Sequence, residues 1–187
     1  MKMNRTVRDF QNALATLLET KPFEKITVDQ ICNEALLHRS SFYRYFHDKY
    51  DLLEQLINTR LNQIVEESDT EDDFIQLTIS YLGNHKKVFR HLSGDSANIT
   101  FYTEMIRILS EVLLKQADSE RQVKVSEVAK EIHDSSNPEL LSYVYAGAII
   151  GGCYWWQMNS YDVPVQKVVD FVKQTVLQLS SASTNKQ

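Results

Sequence analysis

The chain is poor in the residues that make turns and staples. Only 5 glycines and 3 prolines occur in 187 residues, so tight turns are few and a mostly helical chain is expected. Two cysteines, Cys32 and Cys153, are too few for a disulfide framework, and a reducing cytosol is the natural compartment. The opening residues, MKMNRTVRDF, lack the apolar core of a secretion signal, so none is expected. Strand-like alternation, internal repeats and a glycine-rich phosphate loop are all missing. The 5 histidines are His38, His47, His85, His91 and His133. None stands four residues from another and no cysteine neighbours one, so no metal site is expected. His85 and His91 flank one short helix, either as ligand contacts or as surface and capping groups. Nothing marks a nucleophile elbow, and no cofactor is called for.

What remains is globular. A hydrophobic content of 43% supports a sizeable core. The net charge of −5 is uneven along the chain. Residues 1–50 hold 8 basic and 6 acidic side chains, for +2, and the rest hold 12 and 19, for −7. A basic segment that meets a polyanion, followed by an acidic segment that stays off it, fits this split.

The basic share surrounds the stretch TVDQICNEALLHRSSFYRYFHDKYDLL, from Thr27 to Leu53. Thr27 followed three residues later by Gln30 is a capping box, so a helix begins at Val28. A second helix runs from about Arg39 to Phe46. Phe42 and Phe46 mark its apolar side, and Arg39, Ser40, Ser41, Tyr43 and Arg44 its polar side. Asp48 is the N-cap candidate of a third helix, with Asp51 in its first turn. Two short helices joined by a tight turn suit a helix-turn-helix, whose second helix presents its N-terminal residues to the major groove. Arginine offers a planar fork to guanine, short hydroxyls reach base or phosphate, and tyrosine is a phosphate donor.

This stretch resembles the DNA-binding domain of TetR-type transcriptional regulators. The residues that carry the resemblance are Thr27, Val28, Ile31, Cys32, Ala35, Leu36, Leu37, His38, Ser41, Phe42, Tyr43, Tyr45, Phe46, Lys49, Leu52 and Leu53. Two departures stand out. The family usually has glycine where Leu36 stands, for its backbone freedom, and serine where His38 stands, as helix cap. The resemblance implies that Thr27, Tyr43 and Lys49 grip phosphates. Arg39, Ser40, Ser41 and Arg44 then read bases, with Val28 and His38 beside them.

Along the rest of the chain, Val7, Phe10, Leu14 and Leu17 are spaced for a helix that packs on the motif, and Pro22 stops it. Lys2, Arg5 and Arg8 either touch phosphates or form a solvated face. Lys49 to about Glu66 is a longer helix that links the halves. Helices follow over 74–81 and 86–92, with Gly83 and Asn84 as punctuation and 93–96 as a loop. Residues 97–116 form a helix with two apolar sides, and 119–133 a polar one. Asn137 and Pro138 start another, and a last helix opens near Pro164. The tail from Ser180 is expected to fray. The predicted fold is all-α, with a three-helix DNA-binding domain over 1–50 and an effector-binding and dimerisation bundle over 51–187.

Leu140 to Tyr161 has no charged residue, which is membrane-span length. Glu139 and Asp162 at its flanks, and its Ser, Gln, Asn and Tyr content, favour a buried dimer helix instead, with no membrane partner. Leu141, Tyr145, Ala148, Gly152 and Trp155 form the expected seam, and Gly147 and Gly151 would permit close approach. Val169, Val172 and Val176 supply a heptad-like seam on the last helix. The layout also resembles, more loosely, the subgroup of regulators related to the dihydroxyacetone-kinase activator. The family resemblance implies an effector pocket in the bundle, with Phe101, Tyr102 and Met105 as lining.

The expected function is a cytoplasmic homodimeric repressor, released from a palindromic duplex operator by a small-molecule effector, and not an enzyme. Two other classes stay open. A small helical enzyme or carrier would use the aromatic bundle but leaves Arg39 to Lys49 unexplained. A constitutive DNA-bound adaptor would lack any response to effector.

Overall fold

The computed structural model describes residues 4–93, 99–118 and 127–184, and among these the only regular elements are helices. Helix α1, Arg5–Leu18, starts on Asn4, whose side chain accepts from the Thr6 amide at 3.0 Å. Pro22 leads a 3₁₀ turn, Phe23–Lys25. Helix α2, Val28–Ala35, carries the predicted capping box. The Gln30 amide donates to Thr27 Oγ1 at 3.3 Å, and the Thr27 amide donates to Gln30 Oε1 at 3.2 Å. Helix α3 is Arg39–Tyr45 and α4 is Lys49–Glu67. Asp48 caps α4 as expected, accepting from the Tyr50 and Asp51 amides at 2.8 and 2.9 Å. Asp51 in turn accepts from the His47 amide at 2.8 Å.

The chain forms two compact units, one of residues 1–59 with 85–98 and one of 60–84 with 99–187. The first unit therefore extends past the expected limit at residue 50. It also takes in α6, Lys86–Ser93, which buries Phe89 and Leu92 and packs on α1 and the 3₁₀ turn. Burial of that apolar face recruits α6 to this unit. His91 is spent here, its Nδ1–H donating to the Leu18 carbonyl at 2.6 Å. That bond satisfies an acceptor at the α1 C-terminus, which no intrahelical donor reaches.

The second unit contains α5, Glu71–Asn84; α7, Ile99–Asp118; α8, Glu127–Asp134; α9, Pro138–Met158; and α10, Val165–Thr184. Helix α7 packs on α8 and α9, while α10 packs on α5, α8 and α9. The core takes Met105, Ile108, Leu109 and Val112 from α7, Ile149 and Ile150 from α9, and Val169 and Val172 from α10. Asn137 caps α9, accepting from the Leu140 amide at 3.1 Å, with Pro138 at the first position. Gly83 does not punctuate: α5 runs through it. A Cβ there would stand 3.0 Å from Trp156 Cη2 and 3.3 Å from Val165 Cγ2, so the glycine makes room for the buried indole. Trp156 Nε1–H donates to the Val163 carbonyl at 2.7 Å. The C-terminal segment is helical through Thr184 rather than frayed from Ser180. Lys2 and the loop expected over 93–96, beyond Ser93, lie outside the described residues, as does the polar helix expected over 119–133 as far as residue 126.

Candidate nucleic-acid interface

The recognition surface is built on three phenylalanines. Phe10 of α1 meets Phe42 edge-on at 5.4 Å and Phe46 at 5.9 Å, and Phe42 has no exposed surface. Rooting α3 by this side turns Arg39, Ser40, Tyr43 and Arg44 outward, all of them exposed, while Ser41 is half-buried. Asn4 Nδ2–H donates to Tyr45 Oη at 3.1 Å, tying the start of α1 to α3. The turn between α2 and α3 keeps the left-handed geometry that usually goes with glycine. Leu36 has φ 54 and ψ 38 and is 90% exposed. The Leu37 amide donates to the Cys32 carbonyl at 3.0 Å, closing α2. His38 precedes α3 and makes no side-chain cap bond, so the departure from serine costs that cap.

Arg39 is held rather than free. Nη1 pairs with the Asp29 carboxylate on α2, and Nη2–H donates to Tyr43 Oη at 3.0 Å. Its guanidinium also lies 5.4 Å from the Tyr43 ring centroid. The Asp29 hydrogen bond, then its charge and that of Tyr43, raise the Arg39 pKa further above an already high value. Asp29 was not legible as a site residue, since ten positions and a turn separate it from Arg39. Thr27 is exposed and serves as cap of α2, and Val28 beside it is half-buried.

Lys49, expected at a phosphate, is engaged within the fold. Its Nζ donates to the carbonyls of Phe23, Glu24 and Ile26 at 2.9, 3.2 and 3.0 Å. It also stands 4.6 Å from the Phe23 ring centroid. An ammonium has three donors, and here all three are committed to the 3₁₀ turn. Lys49 therefore clips the start of α4 to the segment before α2.

In the second unit, Phe101 and Met105 are buried and Tyr102 is half-buried. Tyr102 Oη–H donates to Gln157 Oε1 at 2.5 Å, and Tyr161 Oη–H reaches the same oxygen at 3.0 Å. Tyr102 also packs edge-on against Tyr154 at 4.5 Å. The expected dimer seam divides. Tyr145, Val169, Val172 and Val176 are buried inside the chain's own bundle, and Leu141, Ala148 and Gly152 are half-buried. A Cβ on Gly152 would stand 2.7 Å from Val172 Cγ2, so this glycine serves the α9–α10 crossing within one chain. Gly151 has open space around it, as has Gly147. Of the expected seam only Trp155, 54% exposed, faces outward with Gly151. The solvent face of α9 is instead Leu140, Val144, Gly151, Trp155 and Met158, and Phe171 on α10 is also exposed. No described helix is long and apolar enough to cross a membrane.

The first unit thus has the form of a helix-turn-helix DNA-binding domain. Within it, residues 12–56 match the family model described as bacterial regulatory proteins, tetR family. Among curated proteins, the nucleoid occlusion factor SlmA of Shewanella woodyi is 31% identical over 106 residues, 51% of this chain and 53% of that protein. SlmA of Shewanella pealeana is 32% identical over the same shares of each chain. The chain spans about half the length of the curated relatives it matches. Among solved structures, the dihydroxyacetone kinase operon activator DhaS is similar with a TM-score of 0.64 at 16% identity, covering 95% of this chain and 97% of that one. The fatty acid degradation regulator FadR from Bacillus halodurans has a TM-score of 0.56 at 16% identity, with the same coverage. At such identities these two show the all-helical fold.

Proposed function

We propose that the chain is a cytoplasmic transcriptional regulator that binds duplex DNA as a two-fold dimer and acts by binding rather than by catalysis. It is a repressor released from a palindromic operator by a small-molecule effector. The observation that carries this reading is α3, rooted by Phe42 and presenting Arg39, Ser40, Tyr43 and Arg44 to solvent in a TetR-type domain. Arg44 and the serines serve as base readers with Arg39, and Thr27 and Tyr43 as phosphate contacts. Tyr43 Oη accepts from Arg39, which leaves its own O–H to donate. The second copy docks on the outward apolar face of α9, because solvated apolar stripes of this length mark interaction surfaces. Phe101, Tyr102 and Met105, with the Gln157 amide beside them, form the effector region, apolar with a polar group to orient a ligand. An effector shifts the dimer between DNA-competent and incompetent states only by its differential affinity for the two.

Footprinting of purified protein on genomic fragments tests this. Recovered sites should share a partial palindrome, with recognition helices about 34–36 Å apart or a multiple of that. Protection without any shared palindrome removes the dimeric reading. Titrating metabolite fractions into the DNA-bound sample separates an effector-released repressor from a constitutive adaptor.

A further inference from the structure

Arg39 stands at the first position of α3, where side chains come nearest to base edges. An exposed arginine normally samples many rotamers and loses that freedom on binding. Here the guanidinium is fixed from two sides before any DNA arrives. The Asp29 carboxylate takes Nη1 from across the turn, and Tyr43 takes Nη2 from one helical turn along. The Asp29 and Arg39 side chains are 67% and 56% exposed. The pair is therefore at the surface, where an ion pair adds little stability. A carboxylate placed on the face that meets a polyanion is also a liability, since it repels phosphates. Its place in the first turn of α2 favours the helix dipole, but that role needs no contact with Arg39, and bulk affinity for DNA does not explain the contact either. Orientation does, because a planar fork reads guanine bidentately only when its plane is set.

We infer that Asp29 is a positioning residue for sequence discrimination: it fixes the Arg39 fork for one base pair and weakens attachment to all other DNA. This rests on the reading of α3 as a DNA-recognition helix. Arg39 is the base reader, Tyr43 the second brace, and Asp29 acts through Arg39 without needing to touch DNA. The guanidinium keeps N–H groups beyond the two engaged, enough for a base edge.

The test is selection from a randomised duplex pool with the full chain, as wild type, Asp29→Ala, Asp29→Asn and Arg39→Ala. Anisotropy on the wild-type-selected duplex and on random duplex then gives the affinities. Wild type should prefer one base at a position that Arg39→Ala no longer reads. Asp29→Ala should lose preference at that same base pair by about tenfold, and should bind random duplex as well as wild type or better. Asp29→Asn keeps an acceptor and should fall between. Melting curves confirm that each variant is folded; Asp29 is an exposed first-turn residue, so alanine is tolerated there.

Three results overturn the inference. Asp29→Ala can recover the wild-type site with unchanged preference. It can lose preference at a different base pair. Or Asp29→Ala and Asp29→Asn can tighten selected and random duplex equally, which makes Asp29 a charge screen alone. Each of these leaves the DNA-binding reading standing, because wild type still selects a site. If wild type itself recovers no preferred sequence, that reading falls and the inference falls with it.

Discussion

A leucine at φ 54 bears a steric cost that a glycine in its place would not, and Leu36 bears it while 90% exposed. The left-handed conformation costs an L-residue about 1–2 kcal/mol, and little apolar burial offsets it here. Glycine relieves that cost but has more freedom to lose on folding, about 0.5–1 kcal/mol. Leu36→Gly should therefore stabilise the first unit by roughly 0.5–1 kcal/mol, read from denaturant midpoints at constant m. A loss of stability would mean that the leucine side chain holds the turn. Lys49 makes a second case. With its three donors on backbone carbonyls, Lys49→Ala should cost about 1–2 kcal/mol and lower the melting temperature by about 2–8 °C. The salt slope of DNA binding should not change, since no phosphate contact is lost. A slope reduced by about one with an unshifted melt would restore Lys49 as a phosphate contact. Cys153 gives the third. Burial pushes its thiol up to about 12 from 9.0. Between those values the unfolded chain releases the proton while the folded chain keeps it, so stability falls as pH rises. The contribution is complete below pH 9.0 and is lost as pH approaches 12. Urea unfolding of wild type and Cys153→Ala across the alkaline range should diverge in slope there, with the variant flatter.

At the scale of elements, starts and stops were written locally. The capping box of Thr27 and Gln30, the Asp48 cap and the Asn137–Pro138 start each depend on residues within one turn, and each helix begins where those residues place it. The phenylalanine face of α3 was equally readable from its spacing. Contacts between elements were not. Asp29 meets Arg39 across a turn, and Lys49 meets carbonyls more than twenty residues earlier; no periodicity records either. The rotation of α9 was hidden for a different reason. That helix is apolar almost all round, so pattern alone did not say which face turns inward. Packing decided, and it put Gly152 against Val172 and left Gly151 open. The two neighbouring glycines should then respond oppositely in a melt of the isolated chain. Gly152→Ala forces a shift at the α9–α10 crossing and should cost about 1–3 kcal/mol. Gly151→Ala meets nothing within the chain and should gain about 0.5–1 kcal/mol of helix propensity. Equal losses at both would place Gly151 in a contact that one chain does not contain.

For the whole molecule, the outward face of α9 carries the dimer prediction. Leu140, Val144, Gly151, Trp155 and Met158 recur at helical spacing on one exposed stripe, with Trp155 and Met158 more than half exposed. Valines 169, 172 and 176 are already buried in the chain's own core and are not free to meet a partner. A charge on the stripe should therefore separate the dimer without unfolding the bundle, whereas a charge at Val172 should unfold it. Trp155→Glu is expected to sediment as a monomer at micromolar concentration with helical content unchanged by circular dichroism. Gly151→Leu should act the same way if the two α9 helices cross closely there. Each monomer keeps an intact α3, so binding to a single half-site should survive. The loss falls on the full palindrome, where two linked heads gain avidity of about 10²–10⁴-fold that a monomer lacks. Anisotropy on full and half sites, alongside sedimentation, measures both consequences in one set of samples. A Trp155→Glu chain that still sediments as a dimer and still prefers the full palindrome would move the interface off this face of α9.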